Sequence, residues 1–167
     1  MKNSQPTSGI ELRFATEHDI DLIYFFICEL ANYEKLLPEV VTTPEDLKKT
    51  LFGKRVYAEV VLAYKDQKPA GFALFFHNYS TFLGKPGIYL EDLYVQPEFR
   101  GKGVGRALFS FLANLTEERD CGRLEWWVLD WNKEAIGFYE KIGAKAMDEW
   151  TVYRLTGDAL ANLAKGV

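Results

Sequence analysis

Ile88-Tyr89-Leu90-Glu91-Asp92-Leu93-Tyr94-Val95-Gln96-Pro97-Glu98-Phe99-Arg100-Gly101-Lys102-Gly103-Val104-Gly105-Arg106 is the stretch that decides the fold. Residues Ile88 to Val95 read as a central strand, and Gln96-Pro97 ends it because proline has no N–H to give to a ladder. From Gly101 to Gly105 every second residue is glycine, and Leu108, Leu112, Ala113 and Leu115 then follow in helical register to about Arg119. Glycines between a strand and a helix let the backbone approach a ligand closely, and the start of the helix offers unpaired N–H groups to an anion. The segment Arg100 to Arg106 is therefore expected to cradle phosphate oxygens; the alternative is a turn whose glycines serve packing alone. A dinucleotide fingerprint is excluded because the sixth position counted from Gly101 is Arg106, and a nucleotide P-loop because no Gly-Lys-Ser/Thr follows.

Working outward, Ile10 to Phe14 alternates as a strand, and Thr16 opens a helix with Ile20, Ile23, Ile27, Leu30 and Ala31 on one face. Thr43-Pro44-Glu45 supplies an N-cap, a first helical position and an acidic first turn, predicting a short helix from Glu45 to Phe52. Two β-rich runs, Val56 to Tyr64 and Ala70 to Tyr79, flank a hairpin signal at Lys65 to Pro69. Arg123 to Leu129 reads as a further strand, Lys133 to Ile142 as a helix stopped by a left-handed Gly143, Trp150 to Leu155 as a last strand, and Asp158 to Lys165 as a short helix. With no internal repeat or linker, this is one α/β (α+β mixed) unit: a mixed sheet flanked by helices. The expected organisation is a flexible polar tail over residues 1–9 and a single domain over residues 10–167.

The chain of 167 residues can bury a core without disulfide or metal support. Its net charge of −4 disfavours nucleic acid and mildly favours a cationic partner. The polar start lacks a signal-peptide pattern, and no apolar run reaches the length of a membrane span, so a cytoplasmic protein with no membrane partner is expected. Cys28 and Cys121 read as reduced thiols. His18 and His77 have no partners at ligand spacing, so no metal is predicted.

Two carboxylates, Glu91 and Asp92, interrupt an apolar strand, where an unpaired charge is costly. Glu91 is the candidate general base; a structural ion pair or an edge-protecting charge is the alternative for either acid. Adjacent strand residues point to opposite faces, so both acids serve one cleft only if the strand is bulged. Tyr33, Glu34, Glu125, Trp126, Trp127, Asp130 and Trp131 supply the carboxylates and aromatic faces that a cationic amine wants, although alternation leaves only half of residues 125 to 131 facing the cleft.

Arg100 to Gly105 after a strand resembles the pyrophosphate loop of the GNAT acetyltransferase superfamily. Glu29 to Lys35, Glu91 to Arg100, Leu129 to Asn132 and Phe138 to Ala144 resemble, in order, the spermidine/spermine (diamine) and thialysine acetyltransferases. Tyr79-Ser80-Thr81 and Leu129 to Asn132 lean toward the thialysine branch, while Phe82 stands where related enzymes tend to carry Trp.

The resemblance implies a GNAT-like, mostly antiparallel sheet splayed after the fourth strand, a bulge at the two acids, and transfer of an acetyl group from acetyl-CoA to a primary amine of a polyamine, diamine or thialysine-like amino acid. It implies that Leu93, Tyr94, Val95, Arg100, Gly101, Lys102, Gly103, Val104, Gly105, Arg106, Asn132, Ala135 and Phe138 bind acetyl-CoA. Tyr33, Glu34, Glu91, Asp92, Glu125, Trp126 and Trp127 would bind the amine. Tyr139 would act as the acid, with half-buried helix packing as its alternative; Asn132 serves equally well as an N-cap. A homodimer built on the strand around Trp150 to Leu155 is also implied. The competing readings are a protein or peptide amine acetyltransferase and a non-catalytic acyl-CoA binding or sensing module.

Overall fold

In the computed structural model, which describes residues 9–166, the quoted stretch forms the fourth strand of a five-stranded sheet. The described chain divides into two units, one ending at Trp127 and one starting at Val128. In the first unit the elements are β1 (Ile10–Phe14), α1 (Ile20–Tyr33), α2 (Pro44–Leu51), β2 (Glu59–Lys65), β3 (Lys68–Ser80), β4 (Lys85–Val95), α3 (Val104–Glu118) and β5 (Leu124–Trp126). The strands lie in chain order; β1 to β4 are antiparallel and β5 runs parallel to β4.

Local chemistry explains most of these boundaries. Asp66 and Gln67 both take positive φ, 51° and 64°, the turn that suits the twist of a two-residue hairpin, and Lys65 pairs with Lys68 across it. The Thr43 hydroxyl accepts the Asp46 amide at 3.2 Å while the Asp46 carboxylate accepts the Thr43 amide at 3.1 Å, so both donors at the start of α2 are satisfied. Strand β2 begins at Glu59 rather than Val56, because residues 56 to 58 are not in the ladder.

The sheet is covered on both faces. Ile20, Ile23 and Phe26 of α1 and Leu47 and Leu51 of α2 pack on Val60, Leu62, Phe72, Leu74 and Tyr94, with Phe26 stacked on Phe72 at 5.5 Å. The other face carries α3, where Leu108 and Leu112 are fully buried and Phe109 meets Trp126 edge-on at 5.0 Å. Glu59, one residue out of phase with Val60, holds Arg119 at the end of α3 through a two-point ion pair that lowers its carboxyl pKa.

The register between β3 and β4 slips once. Leu74 pairs with Asp92 and Phe75 with Leu90, leaving Glu91 without a partner in the ladder. Pairing of β4 with β5 runs only from Ile88 opposite Leu124 to Leu90 opposite Trp126. From Glu91 onward β4 has no ladder partner on its β5 side among the described residues, as expected for a sheet splayed after its fourth strand.

The second unit contains α4 (Lys133–Lys141) and α5 (Gly157–Ala164). Gly143 has φ +88°, the left-handed stop expected after α4. Two expectations need correction. The strand expected over residues 123–129 is formed only by Leu124–Trp126, where β4 is available to bond it. Trp150 to Leu155 forms no strand, because its alternating residues find no ladder partner among the described residues. The expected tail lies outside the described residues except for Gly9.

Candidate active site

The bulge at Glu91 changes which face Asp92 occupies. Without it Asp92 would share the α3 face with Leu90; with it Asp92 pairs with Leu74 and joins the face of α1. There its carboxyl loses water, its pKa rises to about 7, and the negative charges of Glu91 and then Glu34 push it the same way. Glu34, at the C-cap of α1, is itself raised by burial. Glu91 is exposed. Partly buried Asp92 and Glu34 and exposed Glu91 thus form an acidic corner that a cation would relieve.

The open edge of β4 also presents backbone donors. Gln96 donates to the Ala70 carbonyl at 2.9 Å, which makes Gly71 and Val95 a non-hydrogen-bonded pair. Alternation then points the Tyr94 amide at β3 and those of Leu93 and Val95 to the open side. The Tyr94 ring is buried against Phe26, with its hydroxyl 3.4 Å from a Glu29 oxygen. Of Leu93, Tyr94 and Val95, which the resemblance assigns to acetyl-CoA, Tyr94 gives its amide to the sheet.

The glycine loop follows directly. Gly101 and Gly103 take φ of +71° and +89°, and Gly103 is the N-cap of α3. A methyl group on Gly105 would find only Val95 Cγ2, at the ordinary distance of 3.9 Å, so neither backbone angle nor protein packing demands glycine there. Among the described residues, no acceptor bonds the amides of Val104, Gly105 or Arg106. Lys102 and Arg106 are exposed beside them, and the Val104 side chain is buried. A cradle of free donors, two cations and an unneeded glycine fits a diphosphate. Arg100 differs: its guanidinium lies 4.7 Å from the Tyr33 ring and 5.7 Å from the Tyr94 ring, and its Nε donates to the Val95 carbonyl at 3.0 Å.

On β5, Glu125 accepts from Asn78 at 2.7 Å and lies 2.8 Å from Arg123 Nε, so its charge is already partnered. Trp126 points toward α3, whereas Trp127 meets the Tyr89 ring edge-on at 5.7 Å. Tyr89 is a site residue that sequence reasoning missed. It sits between Phe76 and Trp127, and burial together with Glu91 and Glu125 raises its pKa. Its pairing with Glu125 was the available signal, but that needed the β4–β5 register. Phe82 is exposed, and His77 lies 3.4 Å from Arg119. Among the described residues no group of His, Cys, Asp and Glu could share a metal, and no helix is long and apolar enough to cross a membrane.

In the second unit the Asn132 side chain caps α4, accepting from the Ala135 amide at 3.3 Å. Tyr139, on α4, meets Phe138 edge-on at 5.8 Å. Seven residues separate Asn132 from Tyr139, which puts them on one side of the helix.

Residues 26–144 match the model of the acetyltransferase (GNAT) family. The chain belongs to that family. This acetyltransferase is 37% identical to the thialysine N-epsilon-acetyltransferase of Bos taurus, covering 93% of this chain and 97% of the relative. It is 32% identical to the L-ornithine N5-acetyltransferase of Arabidopsis thaliana over 92% and 87% of the two chains. An integron cassette protein from the mobile metagenome of V. cholerae superposes with a TM-score of 0.78 at 30% identity, covering 94% and 98%. The protein is an N-acetyltransferase of GNAT fold.

Proposed function

We propose that the enzyme transfers an acetyl group from acetyl-CoA to a primary amine of a small cationic substrate, a polyamine, a diamine or a thialysine-like amino acid. The observation that carries this reading is the acidic corner of Glu34, Glu91 and Asp92 at the open edge of β4, beside a loop of unpartnered amides. Amine-acting relatives of matching length support it.

Acetyl-CoA, when bound, supplies an acyl group activated as a thioester. Residues Gly101 to Arg106 would hold its diphosphate through main-chain amides and the two flanking cations, and Asn132, Ala135 and Phe138 would line its arm. Leu93 and Val95 offer N–H donors for negative charge developing on the acyl oxygen. An alkylammonium of pKa about 10.4 must lose a proton at a cost of about 4.6 kcal/mol at neutral pH, and Glu91, outside the ladder and exposed, takes that proton. Asp92, Glu34, Tyr33 and Trp127 hold the cation, with Glu125 at the edge of the pocket; Trp126, turned to α3, takes no part. Tyr139 holds a proton at Oη for the departing sulfur.

Residues 10–167 act as one acetyltransferase domain on this reading, which the family match across both units supports. The alternation of Trp150 to Leu155, outside any ladder among the described residues, supports a homodimer joined there, and light scattering tests the stoichiometry. The decisive experiment incubates the protein with acetyl-CoA and spermidine, spermine, putrescine, thialysine, ornithine, lysine or lysine-containing peptides and follows thiol release. Release with one or more small amines is expected; release with peptides alone would move the substrate class to protein amines, and none at all would leave an acyl-CoA binding module.

A further inference from the structure

Arg100 stands first in the glycine loop, yet its side chain contacts α1 and β4. It lies between two tyrosine rings, Tyr33 at the last position of α1 and Tyr94 on β4, with its Nε bonded to the Val95 carbonyl. Tyr94 in turn reaches Glu29, one α1 turn before Tyr33. Three separate chain segments therefore meet at one guanidinium: the end of α1, the strand after the bulge and the start of the loop. The residue after Tyr33 is Glu34, whose charge acts on Asp92.

We propose that the Arg100 side chain is a positioning residue for the amine, seating Tyr33 and hence Glu34 beside Asp92, and is not a ligand of the diphosphate. The proposal rests on the acetyltransferase reading above. A planar guanidinium can stack on two rings and donate along its edge at once; a lysine ammonium keeps the charge but cannot reproduce that geometry. The diphosphate is left to the main-chain amides of Val104, Gly105 and Arg106, which carry no protein acceptor among the described residues. Loop and amine corner are thereby tied together, so that the acidic corner is ordered by the same segment that begins the cradle.

The test uses Arg100→Lys, Arg100→Met and Tyr33→Leu in the full chain, with CoA affinity read by calorimetry and steady-state constants for whichever panel amine the wild type uses best. Loss of a partly buried stack of this kind predicts a rise of roughly tenfold in amine KM for all three variants. CoA affinity should stay within about twofold. As Glu34 moves away from Asp92, the acidic limb of kcat/KM for the amine should shift to lower pH; hydration of Asp92 on loosening would shift it the same way, so the shift counts only in a variant whose urea midpoint is unchanged. Tyr33→Leu leaves the loop sequence intact and, because Tyr33 also holds the cation, is read by the pH shift rather than by amine KM if the Arg100 variants do not fold. Weakened CoA binding with unchanged amine KM in Arg100→Met, rescued by Arg100→Lys, would overturn the proposal. A wild type that binds no CoA would instead overturn the acetyltransferase reading beneath it.

Discussion

Asp92 stands opposite Leu74 across the β3–β4 ladder, on the face that packs against α1, only because Glu91 drops out of the register. One extra residue thus gathers two consecutive acids with Glu34 at one corner, where strict alternation would have separated them.

Glu91→Gln keeps the shape of the bulge and removes the proton acceptor. Turnover of the amine should fall roughly 10²–10⁴-fold, with CoA affinity unchanged by calorimetry. A loss below tenfold would move the role of base to another group.

Asp92 carries a pKa raised to about 7 against an unfolded value near 3.8. Between those values the folded state holds a proton that the unfolded state has lost, so this carboxyl's penalty on stability grows as pH rises from about 4 and is complete above about 7. Asp92→Asn should therefore raise unfolding free energy by on the order of 2 kcal/mol at pH 8, with no gain near pH 4. Urea melts at the two pH values check the sign. The same variant should weaken amine binding, separating stability from function.

Gly105→Ala tests the cradle without disturbing the fold. Its backbone angle is not left-handed and the new methyl meets only Val95 at 3.9 Å, so the melting temperature should hold or rise slightly, as alanine favours the helix by up to about 1 kcal/mol. CoA affinity should drop at least tenfold if the diphosphate approaches this backbone. Unchanged affinity would place the coenzyme elsewhere.

Gly71→Ala tests the opposite case. Its methyl would strike the Tyr94 carbonyl oxygen and crowd the Val95 Cα at 3.1 Å, backbone atoms that cannot step aside. Parting β3 from β4 should cost about 2–4 kcal/mol in chemical denaturation. Because the same strand pair carries the site, residual activity in the folded fraction should also fall.

The order of strands and helices was readable because each signal is local: alternation in β1, the β-rich runs of β2 and β3, the Thr43-Pro44 start of α2, the left-handed Gly143, and the alternating glycines before α3. Where the reading failed, the cause was non-local. Trp150 to Leu155 has the composition of a strand, but a strand exists only through its partner. Trp126 and Trp127 are indistinguishable as sequence, and the pairing of β5 with β4 sends one to α3 and the other to Tyr89.

By itself, then, the amino-acid sequence determined the helices, the order of the first four strands and which residue types can bind an amine or an anion, since these follow from short-range periodicity and side-chain chemistry. Tertiary structure alone decided that Asp92 joins Glu34 on the face of α1 and that Arg100 looks toward Tyr33. Both depend on the register of β4 against β3 and the seat of α1 on the sheet, contacts between residues far apart in the chain whose geometry no local pattern encodes.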